Sequence, residues 1–150
     1  MKEENIVAEI EVSYKPTVKP SQRPKITSVE DAYQLLIDSW DTSKIELVEQ
    51  FKIMLLNRTN HVLGICHLTT GTIWGTIVDV KQVFSVALKS NCAKVLLCHN
   101  HTGATLIPSN SDKEVTRKMK LAGKVLDIEV VDHIIVTIEG FYSFAREGMI

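Results

Sequence analysis

The chain is short of cysteine: three in 150 residues, Cys66, Cys92 and Cys98. They form no CxxC pair and no even set, so neither a disulfide framework nor a paired-thiol motif organises the fold. All three are expected in the core. Cys98 adjoins His99, but strand alternation sends it to the opposite face. Long hydrophobic runs are also lacking. No apolar stretch has membrane-spanning length, and the start has no secretory signal pattern. A cytoplasmic location and no membrane partner are therefore expected. Charge of one sign is not in excess either. Lys and Arg number 17 against 18 acids, a net charge of −1, so the protein as a whole is no polyanion binder. There is no internal repeat. What is present is a 45% hydrophobic composition, enough in a chain of this length for one domain with a sizeable core.

The charge is nevertheless uneven. Tyr14 to Lys25 holds Lys15, Lys19, Arg23 and Lys25 with Pro16, Pro20 and Pro24 and no acid. It reads as an extended, polyproline-like arm. A solvated spacer is the commoner use of such a segment; a nucleic-acid or partner contact is the other. Before it, Ile6, Ala8, Ile10 and Val12 alternate with mostly polar neighbours and predict a short strand. The expected organisation is thus a strand and arm over 1–25 and one domain over 26–150.

Ser28-Val29-Glu30-Asp31 opens a helix that carries Ala32, Leu35, Leu36 and Trp40. Gln50–Leu56 and His61–Leu68 flank the turn-forming Asn57-Arg58-Thr59-Asn60 and predict a hairpin. A third short strand is expected around Gly71–Trp74. Asp79–Lys89 has apolar residues at helical spacing, with Asn91 as its stop. A strand over Ala93–Cys98 follows. The helix after it sets Val115, Met119, Ala122 and Leu126 against Lys113, Arg117, Lys120 and Lys124. Ile128–Ile138 and Phe141–Ala145 close the chain as strands joined by a Glu139-Gly140 turn. Strands mixed with a few helices predict a layered α/β domain.

The chemistry concentrates between His99 and Asp112. His99 and His101 leave the apolar strand Val95-Leu96-Leu97-Cys98 and share a face by alternation. Asp112 comes eleven residues later, at a helix start. Two imidazoles, one carboxylate and an open position are the ligand count of a catalytic zinc site. The structural alternative is local: Ser109-x-x-Asp112 and Ser111-x-x-Glu114 both have the form of helix capping boxes. His61 and His67 lie in the hairpin and need no metal to explain them. Asp132-His133 is read as a hydrogen-bonded structural pair, with an orienting role beside the site as the alternative. Two functions are excluded. The literal His-Asn-His is not the dispersed nuclease motif of that name, and a zinc deaminase needs a His-x-Glu and a Pro-Cys-x-x-Cys that are both absent.

His99-x-His101, seven residues, Ser109, two residues and Asp112 resemble the JAMM motif of the JAB/MPN metalloprotease superfamily. Pro108-Ser109 and Asp132-His133-Ile134-Ile135-Val136 resemble its RadC-like branch, and the likeness runs from about Val48 to the C-terminus. One departure is Thr102-Gly103-Ala104, where that branch usually has Pro-Ser-Gly. The resemblance implies a curved mixed β-sheet flanked by helices, laid out like a cytidine deaminase. It implies one zinc ion on His99, His101 and Asp112, with Ser109 hydrogen-bonding the water or the oxyanion. It also implies Glu49 as general base, because a glutamate precedes a comparable strand in the family. Alternation puts Glu49 on the face of Phe51 and Ile53; Glu46 is its rival. The implied reaction is hydrolysis of a peptide or isopeptide bond. The other implied role is a DNA-metabolism accessory or interaction module that uses the fold as a binding platform, reached by nucleic acid or a partner protein through the basic arm.

Overall fold

The Asn57 side chain starts the sheet by turning the chain back. Its Oδ1 accepts the N–H groups of Thr59 (3.0 Å) and His61 (2.9 Å), and Asn60 takes the left-handed φ of 65° that asparagine tolerates. The turn joins β1 (Gln50–Leu56) to β2 (Val62–Thr70) as an antiparallel hairpin. The computed structural model describes residues 6–71, 77–103 and 105–150. Among these, β3 (Lys94–Asn100), β4 (Glu129–Thr137) and β5 (Gly140–Ser143) complete one mixed sheet in the order β2-β1-β3-β4-β5. β3 is antiparallel to β1 and parallel to β4. The chain is therefore an α/β domain with a helix-flanked mixed sheet, as expected. The expected third strand around Gly71–Trp74 falls mostly outside the described residues.

Alternation gives the sheet two apolar faces. Phe51, Ile53, Leu55, Val95, Leu97 and Val130 pack against α2 (Val80–Ser90) and α3 (Asn110–Val125) through Val83, Phe84, Ala87 and Met119. Met54, Leu56, Leu96, Cys98, Ile134 and Val136 pack against α1 (Val29–Asp38) through Ala32 and Leu36. Among the described residues all three α-helix starts are capped by side chains: Ser28, Asp79 and Ser109 accept N–H bonds, and Asn91 ends α2 in the left-handed region. The cysteines are free, with Cys92 and Cys98 buried and Cys66 partly so. No described helix is long and apolar enough to cross a membrane.

α3 carries the chain from β3 across to the parallel β4. It ends with Asp127 at φ 54° and the Ile128 N–H bonded to the Gly123 carbonyl at 2.9 Å, a Schellman closure. A Cβ on Gly123 would stand 2.3 Å from the Ile128 carbonyl oxygen. Backbone cannot step aside there, so Gly123→Ala is expected to destabilise the fold by about 1–3 kcal/mol. The denaturation midpoint reads it, and an unshifted midpoint would show that the crossover relaxes.

The N-terminal segment differs from its pattern. No strand forms over Ile6–Val12; Ile6, Val7, Ile10 and Val12 are 74–96% exposed. A strand needs a ladder partner, and the near end of the edge strand β2 is already taken. Val62 N–H donates to the Pro24 carbonyl (2.8 Å) and Ile26 N–H to the Asn60 carbonyl (2.9 Å). The arm touches the domain where the Tyr14 hydroxyl donates to the Leu63 carbonyl (3.0 Å). It holds a 3-10 turn over Pro20–Gln22, where an extended arm was expected. At the other end of the chain, Gly140 opens β5, so the turn falls on Ile138-Glu139.

Candidate metal centre

Each of the three candidate ligands is held by the element that ends or begins beside it. His99 is the penultimate residue of β3, 2% exposed, and its ring lies parallel to Phe51 on β1 (centroids 6.1 Å apart, 3° between planes). His101 lies just past the strand, where its N–H still donates to the Val136 carbonyl at 3.2 Å. Its Nδ1 is 2.8 Å from the Thr105 carbonyl oxygen. A carbonyl only accepts, so Nδ1 carries a proton. In the neutral ring, Nε2 then presents its lone pair.

Asp112 is fixed by the capping box. Its N–H donates to Ser109 Oγ (3.0 Å), and its Oδ2 accepts the Ser109 N–H (2.8 Å). The local alternative weighed for this pair is thus realised, and it also aims the carboxylate. Asp112 Oδ1 lies 3.3 Å from His99 Nε2 and Oδ2 lies 3.4 Å from His101 Nε2. The two Nε2 atoms are 3.1 Å apart. One ligand atom from each of the three residues falls within 4.8 Å of the other two.

The electrostatics follow from this crowding. Burial pushes the Asp112 carboxyl upward, but in the metal-free site protonated imidazoles of His101 and His99 outweigh it and hold the group well below the usual carboxylate range. Burial pushes His101 downward; the Asp112 hydrogen bond and the Thr105 carbonyl reverse this and raise it. Glu49 is raised, by burial first, against the opposing fields of His99 and His101 and with that of Asp112.

Antiparallel pairing explains why Glu49 feels all three. Phe51 is opposite His99, so two residues earlier the chain reaches the level of His101. Glu46 instead lines a cavity of about 50 Å³ with His101, Gly103, Thr137 and Glu139. The segment bearing both acids is clamped by Asn100. Its Oδ1 accepts the Gln50 N–H (2.7 Å), and its Nδ2 donates to the carbonyls of Ile45 (2.6 Å) and Val48 (2.9 Å). The Gly71 N–H bonds the Glu49 carbonyl at 2.7 Å.

Asp132 and His133 do not act as a pair of side chains. Alternation sends them to opposite faces. Asp132 accepts bonds from the His133 N–H (2.7 Å), Ser143 Oγ (2.5 Å) and the Ala145 N–H (2.9 Å), so the expected hydrogen-bonded pair is present through the His133 backbone and also closes the C-terminal turn. His133 reaches the centre, with Nε2 2.8 Å from His99 Nδ1 and Nδ1 2.6 Å from Thr116 Oγ1. Burial holds it well below the ordinary histidine value. His133, Thr116 and Asn100 were not singled out for the site. The single signal for them was the orienting role considered for Asp132-His133. His61 and His67 each bond a nearby threonine, Thr59 and Thr70, at 2.9 Å.

A helix-flanked mixed sheet whose inner strand ends in two histidines facing a helix-start aspartate is the architecture of a JAB domain. Residues 26–149 match the model of the RadC-like JAB domain, and the chain belongs to that family. It is similar to a UPF0758 protein of Flavobacterium johnsoniae, 41% identical over 126 residues, 83% of this chain and 53% of that protein. A UPF0758 protein of Clostridium kluyveri is 35% identical over 144 residues, 96% of this chain and 61% of that protein. One of Rubrobacter xylanophilus is 38% identical over 102 residues, 68% and 44% of the two chains. The chain thus spans about half the length of the curated relatives it matches.

Proposed function

We propose that the chain is a metal-dependent hydrolase that holds one zinc ion through His99, His101 and Asp112 and cleaves a peptide or isopeptide bond. The observation that carries this reading is the 3.1 Å approach of two imidazole Nε2 atoms with a carboxylate beside both. Two facing lone pairs repel unless a cation or a proton lies between them. Neutral imidazoles and one carboxylate are donors that suit zinc. A zinc ion bound there would supply Lewis acidity and a water of lowered pKa.

The chain's own residues supply the rest. Glu49 takes the proton of the attacking water, and its raised pKa brings it nearer the working pH of a base. Ser109 Oγ already accepts the Asp112 N–H, so its hydroxyl proton is left to donate to the oxyanion that forms on the substrate. Protein purified without added metal is expected to carry one zinc per chain by elemental analysis, with none in His101→Ala or Asp112→Ala. Unchanged stoichiometry in both variants would remove the site.

A second reading is a binding platform without turnover, in nucleic-acid metabolism. It is favoured by a groove of about 570 Å³ at the far end of β3, lined by Arg58, Lys94, Lys120 and Lys124 as well as Asp127 and Glu129. Duplex DNA bound with a steep salt dependence, together with no hydrolysis by the zinc-loaded chain, would favour this reading.

A further inference from the structure

Resting on the metal-site reading, we propose that His133 and Thr116 are positioning residues that fix the tautomer of His99. Three contacts form one chain. The Thr116 hydroxyl donates to the Asp112 carbonyl (2.7 Å), Thr116 Oγ1 lies 2.6 Å from His133 Nδ1, and His133 Nε2 lies 2.8 Å from His99 Nδ1. A carbonyl has no proton to give, so that bond consumes the proton of Thr116. Oγ1 is then an acceptor, and His133 must bring its N–H on Nδ1. A neutral imidazole has a single N–H, which leaves His133 Nε2 as an acceptor for His99 Nδ1–H. His99 Nε2 is therefore bare, and it is the atom that faces Asp112 and His101.

Run backwards, the same heavy atoms describe the opposite site. A Thr116 hydroxyl turned to His133 Nδ1 puts a proton on His133 Nε2 and then one on His99 Nε2, where a cation would have to displace it. The backbone carbonyl of Asp112 decides between the two directions, so the residue that offers the carboxylate also sets the imidazole beside it. Water cannot take over the role of His133. The ring is 0% exposed and packed between Phe144 (4.7 Å between centroids) and Phe51 (5.7 Å). The chain ties together β3, β4 and α3, which spacing along the sequence alone does not join. Partners that orient a ligating histidine through its second nitrogen typically carry about 10–100-fold in metal affinity.

The test is zinc affinity by competition with a chromophoric chelator. His133→Phe keeps an aromatic ring between the two phenylalanines and removes the acceptor. Thr116→Val keeps the shape and removes the hydroxyl, and Thr116→Ser restores it. Both His133→Phe and Thr116→Val are expected to bind zinc about 10–100-fold more weakly, and Thr116→Ser within a few fold of wild type. Nitrogen-15 spectra of the zinc-loaded wild type are expected to show the His133 proton on Nδ1. A purely packing role would leave affinity unmoved in folded variants. Affinities of Thr116→Val and His133→Phe within twofold of wild type, or a His133 proton on Nε2, overturn the proposal while the metal site stands. A wild type that takes up no zinc overturns the metal reading itself, and this inference with it. Should His133→Phe fail to fold, the Thr116 pair decides alone.

Discussion

Glu49→Gln is expected to keep zinc bound while hydrolysis falls about 10²–10⁴-fold, the usual loss when a general base is removed. The amide has the shape of the carboxyl but cannot accept the proton of the attacking water. Asp112 cannot substitute, because its Oδ2 is engaged by the Ser109 N–H and the carboxylate is one of the three proposed metal ligands. Glu49 immediately precedes β1, beyond the Phe51–His99 pair, and its carboxyl senses the charges of His99, His101 and Asp112. Burial raises its pKa in the metal-free chain, and the charge of a bound zinc ion would act against that shift. The base is lost by protonation as pH falls, so the rate should fall on the acid side. Zinc content measured beside the rate separates a lost base from a lost ion. Glu46→Gln should leave the rate near wild type. The reverse pattern, with Glu46→Gln inactive and Glu49→Gln active, would move the base across to the small cavity beside His101.

What could be read from the sequence was whatever chemistry is local. His99 and His101 share a face because a strand has a period of two. Asp112 returns to them because Ser109 and Asp112 form a capping box, a relation spanning three residues. α3 was legible from its apolar stripe, with Met119 at its buried centre. What could not be read depends on which strands become neighbours. His133 approaches His99 only because β4 lies parallel to β3 with His133 opposite Leu97, and no periodicity carries that register. Asp132-His133 is hydrogen-bonded, as its structural reading expects, through the His133 N–H to Asp132 Oδ1, while alternation sends the His133 ring to His99 on the other face. The alternating Ile6–Val12 failed for the complementary reason: the pattern is right for a strand, but the near end of β2 is occupied by Pro24–Ile26. The family resemblance supplied the fold and the Glu49 placement, which residue spacing alone left level with a surface acid.

Asn100→Leu is expected to destabilise the chain by about 3–5 kcal/mol, from two buried partners and one partly buried at about 1–3 kcal/mol each with part of the loss relaxed. Asn100 is the residue between the two histidines, and alternation turns it to the α1 side, away from the metal centre. It is 0% exposed. Its amide makes three bonds to one segment, at Ile45, Val48 and Gln50. Leucine has the same branching but bulkier ends, so a little overpacking adds to the effect. One N–H and two carbonyls lose their partner, the Val48 carbonyl in a partly buried place, and the desolvation of those groups is the larger part of the effect. Asn100→Asp separates the two halves of the clamp: it keeps an acceptor for Gln50 N–H but sets a carboxylate against the carbonyls of Ile45 and Val48. It is expected to be at least as destabilising as leucine at neutral pH and to recover part of the loss in acid, where the protonated carboxyl can donate to one of them. Chemical denaturation at two pH values reads both effects. The consequence reaches the site, because the clamped segment is the one that carries Glu49. A partly unfolded 45–50 segment should lower the rate before it lowers zinc binding, since His99, His101 and Asp112 are anchored on β3 and α3. Equal loss of zinc and rate in Asn100→Leu would show instead that the histidine strand end and the glutamate segment unfold as one unit.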